Sequence, residues 1–400
     1  MLGVGVSAFH FVRDHAGNGT SAQLDAAWTS PETFIVVPQH AASNDRFLAS
    51  AAAKIPPVLG RDHFALLTSG STGEPKLVVG CRRRAEALAR TLHDVQRSEP
   101  VEEAVVALPL SYSYAFVNQW LWARVHGRRL VETRGLADPS QLARALGGSR
   151  AAMLCLVGAQ VPMLLAHVPG PHPGVIRLHF AGGRFPQESL PRLREAFPNA
   201  AVFNNYGCAE AMPRLTLRRA EEADLAADVG TPIPGVELRT GSGGALEFRS
   251  SYGAVGYVDL AGYHDIAPDS WLATGDLGER QEHGRWVLQG RASEVFKRYG
   301  EKVALPQLLA TVSAAWSGQA AFYRERDRSG EDGHVLVLAP APGPEELRLV
   351  LRVLRARHAR AQWPLRIEAL GTLPLLANGK VDVGGLVAAR ARPPLWDQRL

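Results

Sequence analysis

Lysine is scarce in this chain. Only five of its 44 basic Lys and Arg residues are lysine, namely Lys54, Lys76, Lys297, Lys302 and Lys380. With so few, each remaining lysine is a candidate for a place where arginine will not serve, because a flexible ammonium and a planar guanidinium are not interchangeable. Cysteine is scarcer still. Cys81, Cys155 and Cys208 stand alone, with no C-x-x-C pair, so neither a disulfide framework nor a zinc-finger-like site is expected. There is no apolar run of bilayer length, and the first residues have no basic region ahead of their short apolar stretch. The expectation is a cytoplasmic protein with no membrane span. The net charge is +5, but the arginines are scattered and no basic block alternates with aromatics, which argues against nucleic acid as a partner.

At 400 residues with 46% hydrophobic content, the chain can build more than one core. Residues 1–60 read as irregular. From Phe64 onward, apolar β-type runs alternate with helical spacing. Strands are predicted at 64–68, 104–110, 151–157, 175–180 and 201–204, and helices at 84–96, from Phe116, and at 190–197. Buried strands alternating with helices predict a mainly parallel sheet. After residue 230 the pattern becomes β-rich. From residue 290 a small α+β pattern follows: helix 305–316, strands 319–324 and 335–338, helix 344–358 and strand 365–370. The expected class is α/β: a large N-terminal domain with mainly parallel sheets plus a β-rich subdomain (1–290), then a small α+β C-terminal domain (291–400).

The stretch Thr68-Ser69-Gly70-Ser71-Thr72-Gly73-Glu74-Pro75-Lys76 follows an apolar run. A glycine-rich turn can present several backbone N–H groups to an anion. Four hydroxyls and one ammonium add donors, so the loop suits a polyphosphate. It is not a Walker A loop, because G-x-x-x-x-G-K-[ST] is absent, nor a nucleophile elbow, because Ser69 stands where the first glycine should be.

This loop closely resembles the phosphate loop of the adenylate-forming enzymes, which comprise acyl- and aryl-CoA ligases, luciferases and adenylation domains of peptide synthetases. Further motifs of that family follow in the expected order. Ala181-Gly182-Gly183-Arg184-Phe185-Pro186 is similar to the turn that packs on adenine. Asn205-Tyr206-Gly207-Cys208-Ala209-Glu210 is similar to Y-G-x-T-E, and Trp271–Asp276 contains T-G-D. Gly290-Arg291, with Lys297 and Gly300, is similar to the hinge motif, and Asn378-Gly379-Lys380-Val381-Asp382 to the C-terminal N-G-K-x-D.

The resemblance implies the adenylate-forming enzyme fold and a role for each position. Residues 68–76 would hold the β- and γ-phosphates of ATP. Gly182, Gly183, Arg184, Asn205, Tyr206 and Gly207 would cradle the base, and Asp276 and Arg291 the ribose. Glu210, with Thr72, would hold Mg²⁺. Lys380 would contact the reacting carboxylate and α-phosphate, and Lys297 would serve the later thiol step. The implied acceptor is CoA or the phosphopantetheine arm of an acyl carrier protein; an amine acceptor and a non-catalytic binding role are the alternatives.

In this family the segment after Pro109-Leu110 lines the acyl pocket. Amino-acid-activating relatives place an Asp there, and residues 105–125 contain none. Tyr112, Tyr114 and Phe116, with Gly182, point to an aromatic or apolar carboxylic acid. Three departures stand out. Ala209 replaces the usual Thr, and Ser293 and Gln307 replace common hinge-region residues. The phosphate loop also comes early, so that part of the pocket wall would have to come from elsewhere, for instance a second subunit in a homodimer.

Overall fold

The computed structural model describes residues 9–15, 17, 19–38, 45–69, 75–183, 185–222, 227–375, 381–389 and 392–398. Arg184, Lys380 and the loop segment 70–74, with Gly70, Ser71, Thr72 and Gly73, therefore lie outside the described residues.

The chain forms two compact units. One comprises Met1–Ser242, Leu246–Thr274 and Glu279–Val287; the other comprises Gly243–Ala245, Gly275–Gly278 and Leu288–Leu400. In the first unit, a run of parallel strands lies in the order Ala201–Tyr206, Val175–Ala181, Ala152–Val157, Glu103–Val106, Arg129–Glu132. Thr216–Arg219 and then Asp228–Pro232 extend it antiparallel. Strand Ala152–Val157 is buried along nearly its whole length, as a strand covered on both faces must be. Helix Arg82–Val95 buries Ala85, Leu88, Ala89 and Leu92, the i, i+3, i+4, i+7 stripe that its sequence predicts.

A six-stranded sheet contains His10–Arg13, Phe34–Val37 and His63–Ser69 in parallel, followed by Pro75–Cys81, Gly256–Val258 and Tyr263–Asp265. This corrects the reading of residues 1–60 as irregular. Two strands of this sheet and the helices Thr20–Thr29 and Asp45–Ala53 lie there. Both strands are only four residues long, too short for periodicity to separate them from the surrounding turns. Tertiary pairing gives them their place.

In the second unit, four strands lie in the order Gln319–Arg326, Asp332–Ala339, Arg366–Ala369, Trp396–Asp397. Helices Leu305–Ala315 and Pro344–Arg357 belong to the same unit, and Leu308, Val312, Trp316, Leu336, Leu338, Val350, Leu354 and Ile367 form a shared core. A hairpin pairs Val295–Arg298 with Glu301–Ala304. Its connecting residues Tyr299 and Gly300 both have positive φ (49° and 82°), as a two-residue turn matched to strand twist requires.

Candidate active site

Parallel strands bring distant motifs to one edge. Val157 pairs with Ala181 and Phe180 with Asn204, so the turns that follow three neighbouring strands share their carboxyl side. In open α/β sheets that is the side where ligands bind. Gly182 and Gly183 lie exposed there, with Gly182 at φ 76°. Gly207 follows Tyr206, and a Cβ at Gly207 would fall 1.7 Å from the Pro213 carbonyl oxygen. Only glycine fits.

Strands His63–Ser69 and Pro75–Cys81 pair in the register Thr68↔Lys76 and Ser69↔Pro75. The two ends of the predicted phosphate loop are thus side by side. Lys76 Nζ donates to Glu210 Oε1 at 2.8 Å and stands 3.5 Å from the ring centroid of Tyr257. Two motifs separated by 134 residues therefore meet through a lysine and a carboxylate. Tyr257, on strand Gly256–Val258, was not foreseen. It escapes sequence reading because its contact arises from pairing with Pro75–Cys81, far away along the chain.

In the second unit, Arg291 Nε lies 2.9 Å from Asp276 Oδ1. Asp276 is buried and Arg291 is partly exposed. Lys297 is exposed on its hairpin, directly across from Lys302.

The predicted pocket residues separate. Tyr112 and Tyr114 remain partly accessible, but Phe116 is completely buried. Its ring centroid lies 4.9 Å from that of Phe64 and 4.8 Å from that of Trp120. The structure therefore places Phe116 in an aromatic core and not on an accessible wall. Tyr114 instead touches a polar cluster that sequence reading missed. Asn205 Nδ2 donates to Tyr114 Oη at 3.0 Å, and Arg214 donates to the side-chain oxygens of both Asn205 and Asn118. Burial pushes the Tyr114 hydroxyl well above its ordinary range and the neighbouring Cys155 thiol up to about 12. It also holds His179 well below the usual histidine value, with Arg214 adding to the effect. All three are neutral at pH 7. The one available signal was an arginine in an apolar context, Ala211-Met212-Pro213-Arg214, just after the acidic motif.

Among the described residues no three His, Cys, Asp or Glu side chains converge as a metal cage. Mg²⁺ takes most of its ligands from water and phosphate and does not require such a cage. No described helix is long and apolar enough to cross a membrane.

In the first unit, then, Lys76 at the end of the glycine-rich loop meets the carboxylate of a later motif. The sequence profile of the AMP-binding enzyme family matches residues 10–242, and the chain belongs to that family. It is similar to a delta-poly-L-ornithine synthetase of Acinetobacter baumannii, with 25% identity over 358 residues, 82% of this chain and 26% of that protein. It is similar also to a salicylyl-CoA synthase / salicylate adenylyltransferase of a Streptomyces species, 25% identical over 358 residues, 82% of this chain and 63% of that protein. The chain thus spans less than two thirds of either relative. In fold it is similar to the o-succinylbenzoate CoA synthetase of Bacillus subtilis in complex with its acyl-adenylate intermediate. There the TM-score is 0.75 at 17% identity, covering 98% of this chain and 89% of that one.

Proposed function

We propose that this chain activates a carboxylic acid with ATP and passes the acyl group to a thiol. The observation that supports the reading is the 2.8 Å contact between Lys76 and Glu210, which brings the end of the glycine-rich loop to the carboxylate of the Tyr206–Glu210 motif, as shared work on a phosphate and its metal ion would require. A carboxylate is a poor electrophile. In the proposed reaction its oxygen attacks the α-phosphorus of ATP, the bond to the bridging oxygen of pyrophosphate breaks, and acyl-AMP forms. A thiol then attacks the acyl carbon and AMP leaves.

Lys76 and the loop 68–76 would hold the β- and γ-phosphates. Bound Mg²⁺, held by Glu210 with Thr72, would neutralise phosphate charge. Tyr206, Asn205, Gly182, Gly183 and Arg184 would receive the base. Asp276 and Arg291 would bind the ribose, and Lys380 would offset charge as it develops on the reacting oxygens. Lys297 would serve the thiol step, within a C-terminal domain starting at Arg291. The acceptor is CoA or carrier-bound phosphopantetheine, in the cytoplasm. The acid has an aromatic or apolar body resting on Tyr112, Tyr114 and Gly182.

Ala209 favours one second reading, a non-catalytic binding protein, because the hydroxyl usual at that position is missing. The two separate when ATP, Mg²⁺ and a panel of benzoic, cinnamic and fatty acids are incubated with CoA, phosphopantetheinylated carrier protein or an amine. Acid-dependent AMP and pyrophosphate, together with a thioester identified by mass spectrometry, support the ligase. Amide with no thioester redirects the acceptor. Nucleotide binding with no AMP from any acid sinks the activating reading.

A further inference from the structure

Four arginines of the described chain are buried: Arg82, Arg214, Arg218 and Arg298. Three have acidic company. Arg298 lies 3.2 Å from Asp327. Arg82 feels Asp62, Glu32 and Glu86, and Arg218 feels Asp228, Glu222 and Glu221. Arg214 is 1% exposed, and among the described residues no carboxylate faces it. Its hydrogen bonds go to two amide oxygens, of Asn205 and Asn118. These bonds use one N–H on each terminal nitrogen, and a guanidinium has five N–H groups in all. The Tyr114 ring lies near it as well, 5.7 Å from its centre.

The surroundings supply no negative charge. Asn118, Asn205, His179 and Cys155 are buried neutral groups. His179 stacks on Phe203 with centroids 4.8 Å apart, and its Nε2 is buried without a hydrogen-bond partner. Bridging two asparagines does not require a full charge. A buried cation left uncompensated is costly unless something of opposite sign arrives.

The position says what arrives. Arg214 follows Glu210 by four residues, Asn205 directly precedes Tyr206, and Tyr114 is the residue assigned to the acyl wall. A ketone or hydroxyl would satisfy donors but leave the charge. A carboxylate satisfies both, and its two oxygens match the guanidinium fork.

We propose that the acid bound by this chain carries a second carboxylate, and that Arg214 receives it. This rests on the acid-activating function proposed above. Arg214 then sets substrate class: an aromatic or apolar body with an acid group at each end.

The test is equilibrium binding by calorimetry, without nucleotide, of three matched sets: isophthalate, its monomethyl ester and benzoate; terephthalate, its monomethyl ester and benzoate; octanedioate, its monomethyl ester and octanoate. For at least one set, the diacid is expected to bind at least tenfold more tightly than both the half-ester and the monoacid. Arg214→Gln should bring the diacid to the half-ester level, and Arg214→Lys should restore part of the difference. The wild-type comparison needs no variant, so misfolding of Arg214→Gln, checked by circular dichroism, does not decide it. If no diacid exceeds its half-ester with wild-type protein, or if a folded Arg214→Gln keeps the preference, the proposal is overturned. Diacid preference in binding with no acid-dependent pyrophosphate exchange would instead sink the activating function and leave the Arg214 subsite standing.

Discussion

The helical segment 113–125 presents two pairs of side chains, each spaced by four residues, to opposite environments. Phe116 and Trp120 face grease. Trp28, Phe34 and Phe64 complete their cluster, and the polar end of Trp120 is met by Asp25 at 3.2 Å. Tyr114 and Asn118 face a buried guanidinium. One strip of sequence, Tyr-Ser-Tyr-Ala-Phe-Val-Asn-Gln-Trp, thus does two jobs. One face packs into an aromatic core, and the other meets a buried arginine. The segment includes a π-helical turn at Phe116–Leu121, a local widening often found near functional sites. The comparison teaches that neighbouring aromatic residues of one segment need not share an environment.

Four substitutions sharpen that division between scaffold and site. The largest effect on folding belongs to the greasy face. Phe116→Ala should cost about 3–5 kcal/mol of stability by urea unfolding; a loss below about 1 kcal/mol would return Phe116 to the pocket wall. Lys76→Ala should do the reverse. Its ion pair is partly solvated and contributes at most about 1 kcal/mol to folding. Acid-dependent pyrophosphate exchange should nevertheless fall by about 10²–10³, and equal exchange in mutant and wild type would remove Lys76 from phosphate binding.

Asp276→Asn should raise the KM for ATP about tenfold, as loss of one hydrogen bond to a charged group predicts, and should also lower the urea midpoint, because the buried carboxylate pairs with Arg291 at 2.9 Å; an unchanged KM would remove Asp276 from nucleotide binding. The smallest effect at neutral pH is that of His334. It is fully buried between Phe296 and Phe322, and burial depresses its pKa to about 3. The unfolded chain takes up that proton near pH 6.5 and the folded chain only near pH 3. Stability is therefore complete above about pH 6.5 and falls as pH drops toward 3. His334→Phe should flatten that acid limb by about 1.4 kcal/mol per pH unit. An unaltered limb would show that other groups control it.

Much of this was legible from residues alone. Helix Arg82–Val95 and strand Ala152–Val157 announced themselves by periodicity and length. The Tyr-Gly and Gly-Gly turns announced themselves by residue types whose backbone demands are narrow: at Gly207 no side chain fits. The first sixty residues were misread because a four-residue strand such as Phe34–Val37 becomes one only by pairing with His63–Ser69. The Arg214 cluster was missed for a related reason. Asn118 lies far from Arg214 in sequence, Asn205 and Arg214 are nine residues apart with no recognised motif spanning them, and only the fold makes the three neighbours. Likewise, chemistry cannot be assigned to Phe116 or Tyr114 without knowing which face is which.

The most direct test of acid activation is acid-dependent exchange of pyrophosphate into ATP, measured with Lys380→Ala alongside the wild type. The account predicts exchange that requires a particular acid and disappears in the variant. Exchange that survives Lys380→Ala, or its absence with every acid despite measurable ATP binding, would contradict it.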